Sequence, residues 1–352
     1  MGSRRFTPCS REVVIAGALL FIVFILFFSP TSPSQAYHEV IKSSFVSSPF
    51  ATSTKGPVVP GGTLQRPESK YAYVVYLAPT EKEDAGEEDT EDDVYLTSVR
   101  LLIYQLLHDP ETRTNNSIPV VVLVSPQVSQ SKRRRLEREG AWIAEFPSIE
   151  LETVKPDRPR WKHVMDKMNV FRLTQFEKVL LMDLDIVLFK PLDAIFEEPE
   201  TDIQDNLGME NQTKDDEGPQ PQRYLLAADS SPIGSDKHPW PAPRSKALNA
   251  GFMVLHPSEE MLAHYLRIGS IDGRTPMLAP ENNLLEYVHR PDGNMPYSQI
   301  QHYWVMNHPV FDDYKHGIAA VHEKWWRNSM TDHQLKEMLL KPRWKMEGYW
   351  SR

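Results

Sequence analysis

The segment KVLLMDLDIVLFKPLD, residues 178–193, decides how the rest of this chain reads. Four apolar residues, 179–182, run into Asp183-Leu184-Asp185, and a second apolar run continues to Phe189. A short apolar run bounded by polar residues predicts a fully buried strand of a parallel sheet. Carboxylates are rarely buried without a partner, so two at the end of such a strand need a reason to be there. Residues i and i+2 of an extended chain point to the same side, so this spacing lets Asp183 and Asp185 face one point. Two converging carboxylates suit a hard divalent cation. In open α/β sheets, the space beyond the carboxyl ends of strands is where ligands bind.

Upstream of this segment, strand and helix patterns alternate. Residues 71–78 (YAYVVYLA), 118–124 (IPVVVLV) and 141–146 read as strands. Residues 94–107 and 129–139 read as helices. Trp161, Val164, Met165, Met168 and Arg172 share one face at helical spacing, predicting an amphipathic helix that leads into residue 178. This alternation predicts a doubly wound α/β domain with Asp183 at the end of the fourth parallel strand. The acidic run 81–93 and the basic run 132–135 read as solvated surface. Downstream, 197–223 reads as an exposed acidic insertion. Residues 224–228 and 249–255 resume strand-like runs, and 259–268 and 281–289 are helical. Short apolar segments follow at 302–306 and 318–321.

Composition sets the frame for that domain. With 352 residues, 40% of them hydrophobic and 25% charged, the chain can bury a sizeable core. The formal net charge of -9 gives no support for a nucleic-acid partner. A single cysteine, Cys9, rules out an internal disulfide. Residues 13–28 carry no charge, Arg4, Arg5 and Arg11 precede them, and no basic residue follows until Lys42. The positive-inside rule then predicts a cytoplasmic tail (1–12), a transmembrane signal anchor (13–28) and a lumenal remainder. The alternative, a cleaved signal peptide, is disfavoured by the prolines crowding the cleavage region. A short anchor suits the thinner membranes of the early secretory pathway and Golgi. Residues 29–70, rich in Ser, Thr and Pro, read as a disordered stem, leaving 71–352 as the lumenal domain. Asn115-Asn-Ser and Asn211-Gln-Thr are glycosylation sequons in polar loops, as a lumenal chain allows.

Asp-x-Asp at a strand end fits two chemistries. In sugar-nucleotide transferases the pair holds a metal on the diphosphate. In haloacid-dehalogenase-like phosphatases the first Asp, here Asp183, is a nucleophile. The phosphatase motif opens its domain on the first strand, whereas three strand-helix units precede Asp183. The phosphatase's late Gly-Asp-x-x-x-Asp partner is also missing from the sequence.

The remaining landmarks resemble glycosyltransferase family 8, the glycogenin-like retaining enzymes, over roughly 71–327. YAYVVYLA is similar to the family's first strand, which lines the nucleotide pocket, and so implicates Tyr76. KMNVFRLTQFEKVLLMDLD (167–185) matches best. It implies that Lys167 approaches the sugar nucleotide and that Asp183 and Asp185 coordinate Mn²⁺. LNAGFMVLHPS (248–258) resembles the strand whose small residues admit the donor sugar, implicating Asn249. PENNLL (280–285) resembles an Asp-Gln-x-x-Leu segment facing the reacting centre, implicating Glu281 and Asn282. VHEKWW (321–326) resembles the closing His…Lys-Pro-Trp element, with His322 as third metal ligand and Lys324 on phosphate. Two departures stand out: Glu281-Asn282 replaces Asp-Gln, and His322 and Lys324 are closer in sequence than usual for the family.

The resemblance implies a single nucleotide-diphospho-sugar transferase domain (GT-A, Rossmann-like) with a mixed, mostly parallel sheet. It implies transfer of a sugar, with retention, from a UDP-sugar to a glycan or protein-linked acceptor. A phosphatase, or a catalytically silent lumenal binding protein of the same fold, are the alternatives. Each residue also has a plainer reading. His322 is then structural, Lys167 faces solvent, Asn249 bonds backbone, and Trp325 and Trp326 pack in the core.

Overall fold

The structure, a computed structural model, describes residues 69–89, 93–154, 162–210, 212–232, 238–275, 279–330 and 332–351. The predicted tail and anchor, nearly all of the stem, Trp161 and Asn211 lie outside the described residues. Among the described residues, no helix is long and apolar enough to cross a membrane.

Four strands form the parallel heart of the sheet: β1 (Tyr71–Leu77), β2 (Val120–Val124), β3 (Trp142–Glu145) and β4 (Lys178–Met182). They lie in the order β4-β1-β2-β3. Every residue of β2 and of β4 is buried, as a strand covered on both faces requires. Alternate residues of β1 and β4 face opposite layers. Tyr73, Val75, Leu180 and Met182 enter one apolar cluster; Ala72, Val74, Val179 and Leu181 enter the other.

Helices α1 (Glu81–Asp84), α2 (Val94–Leu107) and α3 (Gln130–Arg138) fill the connections. Asp93 caps α2 by accepting from the amides of Tyr95 (2.7 Å) and Leu96 (2.8 Å). The predicted helix before β4 is a 3-10 helix over Val164–Arg172. After β4 come β5 (Ile186–Leu188), the small hairpin of β6 (Gln204–Asp205) and β7 (Arg223–Tyr224), and β8 (Leu226–Pro232). β9 (Arg244–Leu255) begins earlier than predicted and runs antiparallel to both β4 and β8. Next are α4 (Glu259–Gly269), α5 (Pro280–Val288), β10 (Ser298–Gln299) and β11 (Met306–Asn307). The chain closes with α6 (Phe311–Lys315), β12 (Ala320–His322) and α7 (His333–Trp350). The main sheet therefore reads β10-β8-β9-β4-β1-β2-β3, and a second sheet reads β11-β12-β5. It is mixed and mostly parallel, as expected.

Three expectations fail. Asp183 and Asp185 do not converge through strand pleat. β4 ends at Met182 and β5 starts at Ile186, so the pair sits on a turn closed by the Ile186 amide on the Asp183 carbonyl (3.2 Å). The basic run is not a solvated face: Lys132 is 3% exposed and Arg133 5%. Lys132 Nζ meets Glu83 (3.4 Å), Asp89 (3.2 Å) and Asp93 (3.2 Å), so part of the acidic run is buried with it. Within the insertion 197–223, Thr201 and Glu217 are buried too. Alternating local charge cannot reveal a partner forty residues away, which is why both runs misread.

Candidate active site

The site lies at the carboxyl ends of β1 and β4, where Asp183 follows the last residue of β4. Its amide donates to the Gly251 carbonyl (2.8 Å), extending the β4–β9 pairing by one bond. Asp185 is fixed by the Glu323 amide on its carbonyl (2.9 Å). The antiparallel register of β5 and β12 sets His322 opposite Ile186, one residue beyond Asp185. Ligand atoms of Asp183, Asp185 and His322 then all lie within 4.8 Å of one another. His322 Nε2 is 2.9 Å from Asp185 Oδ1 and 3.9 Å from Asp183 Oδ2.

Two carboxylates and one imidazole around one point fit a divalent cation. The backbone makes room for this arrangement. A Cβ on Gly251 would lie 2.7 Å from His322 Nδ1 and 2.9 Å from Asn249 Oδ1, so only glycine lets the ring stand there. Burial would lower the His322 pKa, but Asp185 and Asp183 outweigh it and raise it. Burial alone would raise the Asp185 pKa, yet His322 and then Lys324 hold it below the usual carboxylate value.

Lys167 does not face solvent. The 3-10 helix buries it, and its Nζ donates to Asp183 Oδ1 (2.5 Å) and the Ala250 carbonyl (2.8 Å). Burial would lower its pKa, but Asp183 and Glu281 overcome this and raise it, so Lys167 stays cationic. Glu281, in the first turn of α5, answers that charge. Burial raises its pKa first, Lys167 pulls it down and Asp183 pushes it up. Asn282 accepts the Ala250 amide on its Oδ1 (2.9 Å), tying α5 to β9. Asn249 takes its plainer reading: Oδ1 accepts the Gly251 amide (2.8 Å) and Nδ2 donates to Asn307 Oδ1 (3.3 Å). Its work is to shape the Ala250-Gly251 backbone beneath His322.

Lys324 is exposed two residues past His322, where it acts on Asp185. Tyr76 is the penultimate residue of β1, but its hydroxyl is bonded to Ser125 Oγ (2.9 Å) and to the His163 carbonyl (2.8 Å). Only its ring is left to line a pocket. Trp325 is buried and donates from Nε1 to Ser98 Oγ (3.2 Å), so it packs in the core.

The sequence reading missed Asp229 and Asn307. Asn307 Nδ2 donates to Asp229 Oδ2 (2.6 Å), behind the Asn249 contact. Burial raises the Asp229 pKa to about 6. Its signal was present: an acid closing the apolar run 224–228, as Asp183 closes 179–182.

Comparison with known proteins bears on the fold. A solved structure of WbbM, a bifunctional glycosyltransferase, superposes with a TM-score of 0.50 over 82% of this chain. The fold is that of the GT-A glycosyltransferases. Identity to WbbM is 14%, and the chain spans 53% of its length, about half. Among curated sequences, Schizosaccharomyces pombe protein C4C3.09 is 29% identical over 281 residues, covering 69% of this chain and 71% of its own. C5H10.12c of the same yeast is 26% identical over 297 residues, covering 75% of each chain. Both carry the description "uncharacterized protein". No family model matches the chain.

Proposed function

We propose that this chain is a Mn²⁺-dependent retaining glycosyltransferase that moves a sugar from a UDP-sugar to a glycan or protein-linked acceptor. In this reading it is anchored in the Golgi membrane by residues 13–28, with its catalytic domain in the lumen. The observation that carries the reading is the convergence of Asp183, Asp185 and His322 at the carboxyl edge of a GT-A fold.

Asp183, Asp185 and His322 would hold the cation, which when bound neutralises diphosphate charge and makes the nucleotide a better leaving group. Lys167 keeps a fixed positive charge beside Asp183, and Lys324 offers an exposed one at the rim. Both favour negative charge developing on the departing phosphate. Glu281 lies beside Lys167, in position to face the donor sugar, and the amide nitrogen of Asn282 is left for a sugar hydroxyl. Asn249, Asn307 and Asp229 keep the wall beneath them rigid. Front-face attack, with the leaving phosphate taking the acceptor's proton, is the course that the resemblance to retaining enzymes implies.

The phosphatase alternative fits less well. Asp183 follows β4, whereas the phosphatase motif opens its domain on the first strand.

The test uses a soluble form starting near Lys70. Calorimetry should show UDP binding that requires Mn²⁺ and disappears in Asp183→Asn and His322→Ala. A panel of UDP-sugars should then include one that is hydrolysed or transferred. UDP binding that ignores Mn²⁺ would sink the metal assignment. Binding without turnover of any donor would make the chain a catalytically silent binding protein.

A further inference from the structure

The stretch that decides the fold ends in Lys190-Pro191-Leu192-Asp193, and this end does no work at the metal cluster. Asp193 faces instead the turn at the amino end of β2. Its Oδ2 accepts from Thr114 Oγ1 (3.1 Å), the Asn115 amide (2.8 Å) and the Asn116 amide (3.0 Å). Its Oδ1 accepts from Tyr73 Oη (2.7 Å). One carboxylate thus clamps the backbone of the turn that precedes β2. The amide of Asn116 also lies 3.2 Å from Thr114 Oγ1. Ser117 sits at φ 53°, in the left-handed region that a serine seldom adopts.

Asn115, Asn116 and Ser117 are all exposed. The clamp uses only the backbone of Asn115, so its side-chain amide projects outward. The Asn115-Asn116-Ser117 sequon is therefore presented on a fixed turn, not buried or folded into an element. The turn enters β2 at its amino end. Asp183, Asp185 and His322 lie beyond the carboxyl ends of β1 and β4, which run parallel to β2. A bulky group on Asn115 would leave the site open.

From this we infer that Asn115 is an N-glycosylation site whose glycan lies at the amino end of the parallel strands, away from the catalytic cluster at their carboxyl ends. In the transfer, Nδ2 of Asn115 displaces the diphosphate of a lipid-linked diphospho-oligosaccharide. A C–N bond forms at the sugar's anomeric carbon, the C–O bond to the diphosphate breaks, and the amide proton is lost to base. Ser117 supplies the hydroxyl that the acceptor triplet requires. This inference rests on the lumenal placement proposed above, and the experiment separates the two.

The full-length chain is expressed in a eukaryotic secretory host, with and without a flexible Asn-Gly-Thr reporter after Arg352. Treatment with a peptide N-glycosidase should sharpen the wild-type band and leave an asparagine-to-aspartate mass change at position 115. Asn115→Gln should migrate one glycan faster. Ser117→Gly should do the same, and it keeps the turn, because glycine accepts the positive φ. Mn²⁺ affinity should be unchanged in both. If the reporter is glycosylated while Asn115→Gln and Ser117→Gly migrate with the wild type, this site is not used and the inference fails alone. An unmodified reporter on an unmodified chain would overturn both the lumenal placement and the site.

Discussion

Gly251 and His322 share a space that admits only one side chain. A Cβ at 251 would sit 2.7 Å from His322 Nδ1, and closer still to the ring carbon beside it. The ring is also fixed from the other side by Asp185 at 2.9 Å. Gly251→Ala should therefore displace the imidazole while leaving the sheet intact. Mn²⁺ affinity should fall about 10–100-fold, the usual effect of disturbing a ligand's support. Thermal unfolding should stay close to wild type. Unchanged Mn²⁺ binding by calorimetry would show that His322 is not held in place by this contact.

Lys132 is a buried cation of the basic run. It is 3% exposed and meets Glu83, Asp89 and Asp93. Removing one partner of such a buried group leaves uncompensated charge. Lys132→Met should cost about 3–5 kcal/mol in urea unfolding. Arg134, two positions on, is exposed, and Arg134→Met should stay within about 0.5 kcal/mol of wild type. Equal effects at the two positions would contradict this division.

Glu217 joins the acidic insertion to the helix that carries Glu281 and Asn282. It accepts from Tyr287 Oη (2.5 Å) on α5 and pairs closely with Arg274, which also grips Asp216 at 2.7 Å. Glu217→Ala leaves Arg274 and Tyr287 without this buried acceptor, so it should destabilise the domain by about 1–3 kcal/mol. Because α5 would shift, turnover of a donor should fall while the Kd for UDP stays the same. A change in UDP affinity with normal turnover would show that the brace does not act through α5.

Acid should weaken the fold through buried histidines. His289 lies between Tyr265 Oη (2.5 Å) and the Met295 carbonyl (2.6 Å). Burial holds its pKa at about 3, against an ordinary 6.5, and burial likewise holds His264 at about 4. The unfolded chain thus binds more protons than the native one between pH 6.5 and these values. Stability is complete above 6.5 and is lost as the pH falls toward 3–4. Urea midpoints across that range should show the decline, and His289→Gln should make it shallower. An equally steep acid limb in that variant would remove His289 from the account.

How much the sequence tells depends on the range of the interaction. β1, β2, β4 and α2 were legible because burial on both faces, or along one stripe, imposes a local apolar pattern. Lys167 was placed in the site by resemblance alone; its own spacing suggested a solvent-facing residue. The 3-10 geometry turns it inward, and nothing in the residues around it predicts that tightening. Asp193 seemed to mark only the end of a motif, because its partners at 114–116 are nearly eighty positions away in the chain.

By itself the sequence determined the mostly parallel α/β core and the place of Asp183-Leu184-Asp185 at a strand end. Hydrophobic periodicity is a local consequence of burial, so it can be read one residue at a time. The tertiary structure decided how the carboxylates converge, which is through a turn and not through strand pleat. It also decided that β12, folding back antiparallel on β5, brings His322 to them, and that Gly251 leaves the ring its space. Resemblance could name His322 as a ligand, but the way it reaches the carboxylates depends on strand register and on backbone approach between distant segments, which local residue patterns do not encode.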